Sequence, residues 1–289
     1  MAGVTTAADL TDLIQEEMGK ALMAPRVVPI FWPGGPAYSF LRVADLTSKP
    51  GVSHDFNVYS GLTAYDVDEG EEFAQVQQMT PTSVNVSATE HQVIVWESDP
   101  AAGAIGSPND QRAYAADIAQ AMIDAHSTKF DKAVCDLAAS MGIGATDTGN
   151  DIVVADIVTA MGAIGDNPAA GPWLGWMSDQ MWACLVSEAS SALADASKSG
   201  DLGAELWSTY TIRKFLGVTW FITDNTYTDA TDDYGCIINA RALGAVIKKL
   251  PTVTTEHYDK RRSTQISSVA EWAVGVIESD QGGYLRFDA

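Results

Sequence analysis

The chain has 289 residues, with 17 Lys plus Arg against 38 Asp plus Glu, a formal net charge of −21 and 46% apolar residues. A chain of this length buries about three quarters of its unfolded surface, so it is folded rather than disordered, as one large domain or two small ones. The acidic balance excludes a phosphate-tracking nucleic-acid groove, which needs clustered Lys and Arg to displace counterions.

Residues 7–23 carry Leu10, Leu13, Ile14, Met18, Ala21 and Leu22 at helical spacing, stopped by Pro25. The first residues have neither the basic nor the apolar part of a signal peptide, and no run reaches the roughly 18 apolar residues of a membrane span, so no membrane contact is expected. From Val27 to Gly61 the prolines and the run Trp32-Pro33-Gly34-Gly35-Pro36 forbid regular structure, which reads as an extended arm outside a compact core.

Residues 56–98 alternate like strands, through Phe56, Val58, Leu62 and Ala64, then Val84, Val86 and Ala88, then Val93 and Val95. Their turn, Asp66-Val67-Asp68-Glu69-Gly70-Glu71-Glu72, has five acids in seven residues and no base. The simplest reading is a long hairpin whose charged tip is either an ordinary solvated turn or a partner-facing contact. The sequon Asn85-Val86-Ser87 is taken as coincidence.

A long helix follows. Ser107 can cap it, Pro108 takes its first position, and no Gly or Pro interrupts Asn109 to Met141. Those 33 residues would make a rod of roughly 50 Å. The stretch Gly142 to Gly149 superficially suggests a phosphate loop, but it follows a helix and lacks G-K-[ST], so it reads as a linker.

Val154, Ile157, Val158, Met161 and Ile164 have helical spacing, Pro172 to Met177 is apolar, and Ser178-Asp179 opens a helix with Trp182, Leu185, Val186, Ala189, Leu193 and Ala196 on one stripe. Phe215 to Thr223 reads as a buried strand, as does Cys236-Ile237-Ile238, and the C-terminal part ends in strands around Val253, Ile266, Val269, Trp272, Val274 and Val276. No repeat of fixed period appears.

Catalytic and metal signatures are missing from the sequence. His54, His91, His126 and His257 have no zinc-binding spacing, Cys135, Cys184 and Cys236 form no C-x-x-C pair, and no G-x-S-x-G elbow exists. Asp66-Val67-Asp68-Glu69-Gly70 starts like a calcium loop without its closing Glu. No cofactor, metal site or catalytic residue is therefore expected. Two aromatic residues, Trp32 in the Pro-rich segment and Trp96 at the hairpin base, read as anchors of subunit contacts. Between Lys248 and Arg262 the bases Lys248, Lys249, Lys260, Arg261 and Arg262 outnumber Glu256 and Asp259, against 12 acids and 4 bases over residues 151–245. One basic patch and one acidic tip fit either head-to-tail pairing between copies or two ordinary solvated faces.

The order of parts resembles the α+β major capsid proteins of tailed bacteriophages, of the Hong Kong 97 type, a fold shared with encapsulin shells. Asp68-Glu69-Gly70-Glu71 sits where that family has its extended-loop tip, and Ser107 to Met141 where it has its spine helix. Phe215-Leu216-Gly217-Val218 through Thr223-Asp224 is similar to its axial-domain strand, and Trp272-Ala273-Val274-Gly275-Val276-Ile277 to its closing peripheral-domain strand. The resemblance implies an N-terminal arm at 1–55, an extended β-hairpin loop at 56–100, a peripheral domain with the spine helix at 101–150 and 246–289, and an axial domain at 151–245. It also implies hexamers and pentamers of the chain in an icosahedral virion shell, assembled in a host cytoplasm and enclosing DNA without binding it specifically. Portal and decoration proteins are expected as possible partners. The arm begins within a few residues of Met1, so scaffolding is expected from a separate protein or not at all. Residues 56–98 contain no Lys, so a Lys–Asn crosslink from the loop is not expected. Two alternatives stand beside this reading: an encapsulin-like nanocompartment, and an acidic α+β enzyme of a salt-adapted organism.

Overall fold

The structure is a computed structural model that describes residues 14–18, 29–59, 80–98, 108–146, 152–164, 172–194, 212–229, 231–240 and 242–288. The expected acidic tip at 66–72 and the Ser107 cap lie outside these residues, and of the expected 7–23 helix only 14–18, which are helical, lie inside them.

In chain order the first strands are β1 (Arg42–Asp45), β2 (Ser53–Tyr59), β3 (Pro81–Ser87) and β4 (Thr89–Ser98). Helix α1 (Pro108–Cys135) follows, then β5 (Ile143–Thr146), α2 (Val154–Ala163), β6 (Trp173–Met177) and α3 (Asp179–Ala194). The chain ends with β7 (Ile212–Phe215), β8 (Val218–Ile222), β9 (Tyr227–Thr228), β10 (Asp232–Asn239), β11 (Leu243–Tyr258), β12 (Ser263–Val276) and β13 (Gly282–Asp288). They form a four-stranded sheet in the order β1-β11-β12-β4, a seven-stranded sheet in the order β5-β13-β10-β6-β8-β7 with β9 on β10, and a separate β2-β3 ribbon.

Helix α1 has 28 residues, about 42 Å at 1.5 Å per residue, and tightens into a 3-10 turn over Asp136–Ser140. Its apolar stripe lies on the four-stranded sheet. Ala115, Ile118, Ala119, Met122 and Ile123 pack with Val253 and Ile266 of the sheet and with Ile14 and Met18 from the N-terminal helical segment, and Val93 and Val95 join the cluster from β4.

The seven-stranded sheet is covered on one face by α2 and α3, through Ile157, Ala160, Met181, Trp182 and Leu185 against Trp173, Trp220, Ile237 and Leu285. All five residues of β6 are buried because the strand is covered on both faces. Leu174 and Trp176 face a second cluster that also holds Phe130 and Val134 of α1 and Ala270 and Trp272 of β12. This shared cluster joins the two sheets.

Four expectations are corrected. The Pro-rich segment is not outside the core: Ile30, Phe31, Trp32, Ala37 and Leu41 belong to the shared cluster, and Arg42–Asp45 pairs in parallel with β11. Its burial is tolerable because Asp131 on α1 accepts the Ile30 and Phe31 N–H groups at 2.7 and 2.8 Å, while Ala37 N–H reaches Ile30 O at 2.9 Å. Residues 56–98 are not one hairpin either. β2 pairs β3, but β4 leaves after Ala88 and pairs β12 instead, since its Val93 and Val95 find their apolar partner under α1. The stretch after Gly142 is not only a linker, because Ile143–Thr146 pairs in parallel with β13. Both β5 and β13 thus belong to the seven-stranded sheet. Finally, Phe215 to Thr223 is not a single strand, because Leu216 and Gly217, at φ 52° and 78°, turn the chain between β7 and β8.

Candidate subunit-contact surfaces

The outer face of the four-stranded sheet, opposite α1, has two halves. Near β1 it is covered by the β2-β3 ribbon, where Phe56 and Val86 pack with Ala44, Leu46, Val246 and Ile277. Arg42 ties this cover down: its guanidinium contacts Glu278 Oε1 at 3.3 Å, donates to Asn57 O at 3.0 Å and lies 5.7 Å from the Phe56 ring centre. Toward the β11-β12 turn no described element covers the sheet.

That bare half carries Ile94 and Trp96, 47% and 46% exposed, on the outward positions of β4. Across the sheet Trp96 meets Tyr258 with ring centres 5.2 Å apart, and the Arg261 guanidinium stands 5.4 Å from the indole. The neighbouring phenol and guanidinium hold the half-exposed indole in a fixed orientation. Tyr258 donates to Glu256 Oε2 at 2.8 Å, and His257 pairs with Asp259 at 3.1 Å, so the acids of this strand end are engaged locally.

The residues singled out from the sequence therefore part company. Trp96, expected at a subunit contact, is half-exposed on the outer sheet face. Trp32, expected at a subunit contact, is 3% exposed and stacks edge-on against Phe130 at 5.4 Å, inside the chain's own core. The five bases do not make one patch. Lys260, Arg261 and Arg262 lie at the β11-β12 turn, but Lys249 precedes Tyr258 by nine residues of extended strand, about 30 Å. Lys248 is spent internally, donating to Leu46 O at 3.2 Å and to Lys49 O. Asp66, Asp68, Glu69, Gly70, Glu71 and Glu72 lie outside the described residues.

Three residues escaped the sequence reading. Ile94 had a signal: Val93-Ile94-Val95-Trp96 is apolar on both strand faces, which a sheet covered on one side only does not require, whereas Tyr258 lies in a polar strand end that gave none. Asp131 had none, since nothing in the helix pattern shows that its carboxylate faces two amides 100 residues earlier. Burial pushes Asp131 up to about 6, against the hydrogen bonds that lower it, and burial with Glu97 alongside pushes Tyr114 up to about 12. Burial also raises the Cys135 and Cys236 thiols. Among the described residues no group of three or more His, Cys, Asp or Glu is placed to hold a metal, and no helix is long and apolar enough to cross a membrane.

No family model matches the chain, and no curated protein does. Solved structures do. A protein of Mycobacterium phage Che8 superposes with a TM-score of 0.62 at 17% identity, covering 81% of this chain and 84% of that one. The capsid of an empty GTA particle gives 0.63 at 10% identity over 88% and 89%. The holo-SrpI encapsulin complex of Synechococcus elongatus PCC 7942 gives 0.61 at 10% identity over 93% and 95%. These likenesses show the fold: this chain has the α+β Hong Kong 97-type architecture common to phage capsid and encapsulin shell subunits.

Proposed function

We propose that the chain is the major capsid protein of a tailed double-stranded DNA bacteriophage. It assembles as hexamers and pentamers into an icosahedral shell in the host cytoplasm, and encloses the genome without catalysis. The observation that carries this is the likeness along almost the whole chain, in both directions, to subunits of capsids and phage heads. The net charge of −21 supports a wall that does not grip DNA, because tight binding would oppose packaging and release.

Contacts between copies use the half of the four-stranded sheet that no described element covers, with Trp96 as anchor and Lys260, Arg261 and Arg262 as the cationic rim, while the acidic run of residues 66–72 supplies the opposite charge. Scaffolding, portal and decoration proteins, where used, act on the assembled capsomers.

Negative-stain imaging and size-exclusion chromatography of the expressed chain test the reading. Capsomers or closed particles are expected, and a small oligomer that never forms larger species at high concentration would overturn it. Particles that enclose a protein cargo and no DNA in their native host would move the assignment to a cellular compartment.

A further inference from the structure

Under the packed face of α1, two histidines approach each other at the seam with the four-stranded sheet. His126 is 1% exposed. Its Nε2 lies 3.0 Å from Ser268 Oγ on β12, and its Nδ1 has no hydrogen-bond partner among the described residues. His91 comes from β4, paired with Ala270 of β12, two residues from Ser268, so its side chain shares the sheet face under the helix. The His91 ring lies on Trp272 with centres 3.9 Å apart, and its Nε2 is 3.2 Å from Thr89 Oγ1 and 3.3 Å from Trp272 O.

The charged groups acting on His126 are all cationic or cation-forming. Lys129 stands three residues on in α1, and His91 faces it from the sheet. The carboxylates of the neighbouring elements are turned elsewhere. Asp124 accepts from Gln120 Nε2 at 2.8 Å, Asp131 accepts the Ile30 and Phe31 amides, and Glu90 and Glu271 occupy the alternate positions of β4 and β12 on the opposite sheet face.

We propose that this seam is an acid-operated release, in which protonation of His126 loosens the spine helix from the four-stranded sheet. Neutral His126 satisfies Ser268 with one nitrogen and leaves the other bare. The protonated ring must instead bury a second N–H with no acceptor and a positive charge beside His91 and Lys129. Burial first, and then those two groups, lower His126 to about 4, and burial chiefly lowers His91 as well. A histidine held below its ordinary 6.5 stabilises the seam fully above that value. The stabilisation is lost as pH falls from 6.5 toward 4, amounting to an opening shift on the order of a hundredfold.

Hydrogen exchange of the full chain, read by mass spectrometry between pH 7 and 4 and corrected for intrinsic exchange, tests this without requiring assembly. Asp131 on the same helix takes up its proton over this window and stabilises as pH falls, so the readout is the difference between wild type and His126→Gln. Relative to β6 and β10 of the other sheet, wild-type protection of α1 over residues 115–134 should fall on the order of a hundredfold against that of the variant. His126→Gln keeps an amide donor toward Ser268 and cannot ionise, while Asp131 titrates alike in both proteins and cancels in the comparison. A pH response that is equal in wild type and variant overturns the proposal. If His126→Gln does not fold, His91→Gln decides. Removing one like charge should move the midpoint of the loss to higher pH, and an unmoved midpoint overturns the proposal.

Discussion

Replacing Asp131 by Asn removes one titrating group and keeps the side chain's shape. In the wild type, burial raises this carboxyl from 3.8 to about 6, with three backbone hydrogen bonds pulling the other way. Two pH units at about 1.4 kcal/mol each give ~3 kcal/mol. The sign follows from linkage: the folded state holds this proton more tightly than the unfolded chain, so the contribution is fully present below about 4 and is lost as pH rises through 6. The amide of the Asp131→Asn variant does not titrate, so the stability difference between variant and wild type should move by about 3 kcal/mol in the variant's favour between pH 4 and 7. Urea unfolding of unassembled protein, followed by tryptophan fluorescence across that range, measures it. The pairwise comparison cancels His126, whose titration runs in the opposite direction over the same window. A difference that stays constant to within about 0.5 kcal/mol, or that moves the other way, would refute the reasoning. It would mean that the Ile30 and Phe31 amides fully offset burial and hold Asp131 ionised.

The remaining predictions concern packing and contacts. Trp96→Ala removes a side chain that is 46% exposed, so stability should change by about 1 kcal/mol or less while particle yield by light scattering drops sharply; normal yield removes Trp96 from the contact. Gly175→Ala places a Cβ 2.4 Å from the Trp220 ring in the middle of β6, and thermal melting should show a loss of about 1–3 kcal/mol. Leu216→Asn should stabilise by about 1 kcal/mol, because Leu216 sits at φ 52° with 42% of its surface exposed and Asn tolerates that conformation better; a lower melting temperature would contradict this account of the turn.

Elements with internal periodicity were legible. The α1 stripe, the Asp179–Ala194 helix with Ser178 Oγ accepting the Met181 N–H at 3.3 Å, and the strand around Ile237 all follow from spacing and caps. Pairings between distant segments were not, because apolar alternation says that a strand is covered and not by what. β4 looked like the return limb of a hairpin, yet it pairs β12, where Val93 and Val95 pack with Ile266 and the apolar stripe of α1. Prolines in 29–41 argued for an exposed segment, but a proline has no N–H to leave unsatisfied, so such a segment is also easy to bury once one carboxylate serves the remaining amides. The basic run misled for a simpler reason: five bases close in sequence were assumed close in space, and an extended strand is the conformation that separates them most.

The buried Ile30-Phe31-Trp32 segment also sets the order of events during synthesis. These side chains leave the ribosome early, but Asp131 follows 100 residues later and Trp272, in the same cluster, 241 residues after Phe31. At about 5–20 residues per second the segment waits roughly 10–50 s for its last partner. Throughout that interval an apolar stretch with no local secondary structure to hide in is open to chaperones and to the same stretch on neighbouring nascent chains. In a cell making many copies at once, the yield of usable protein is therefore set by how this early segment is protected as well as by the stability of the finished fold.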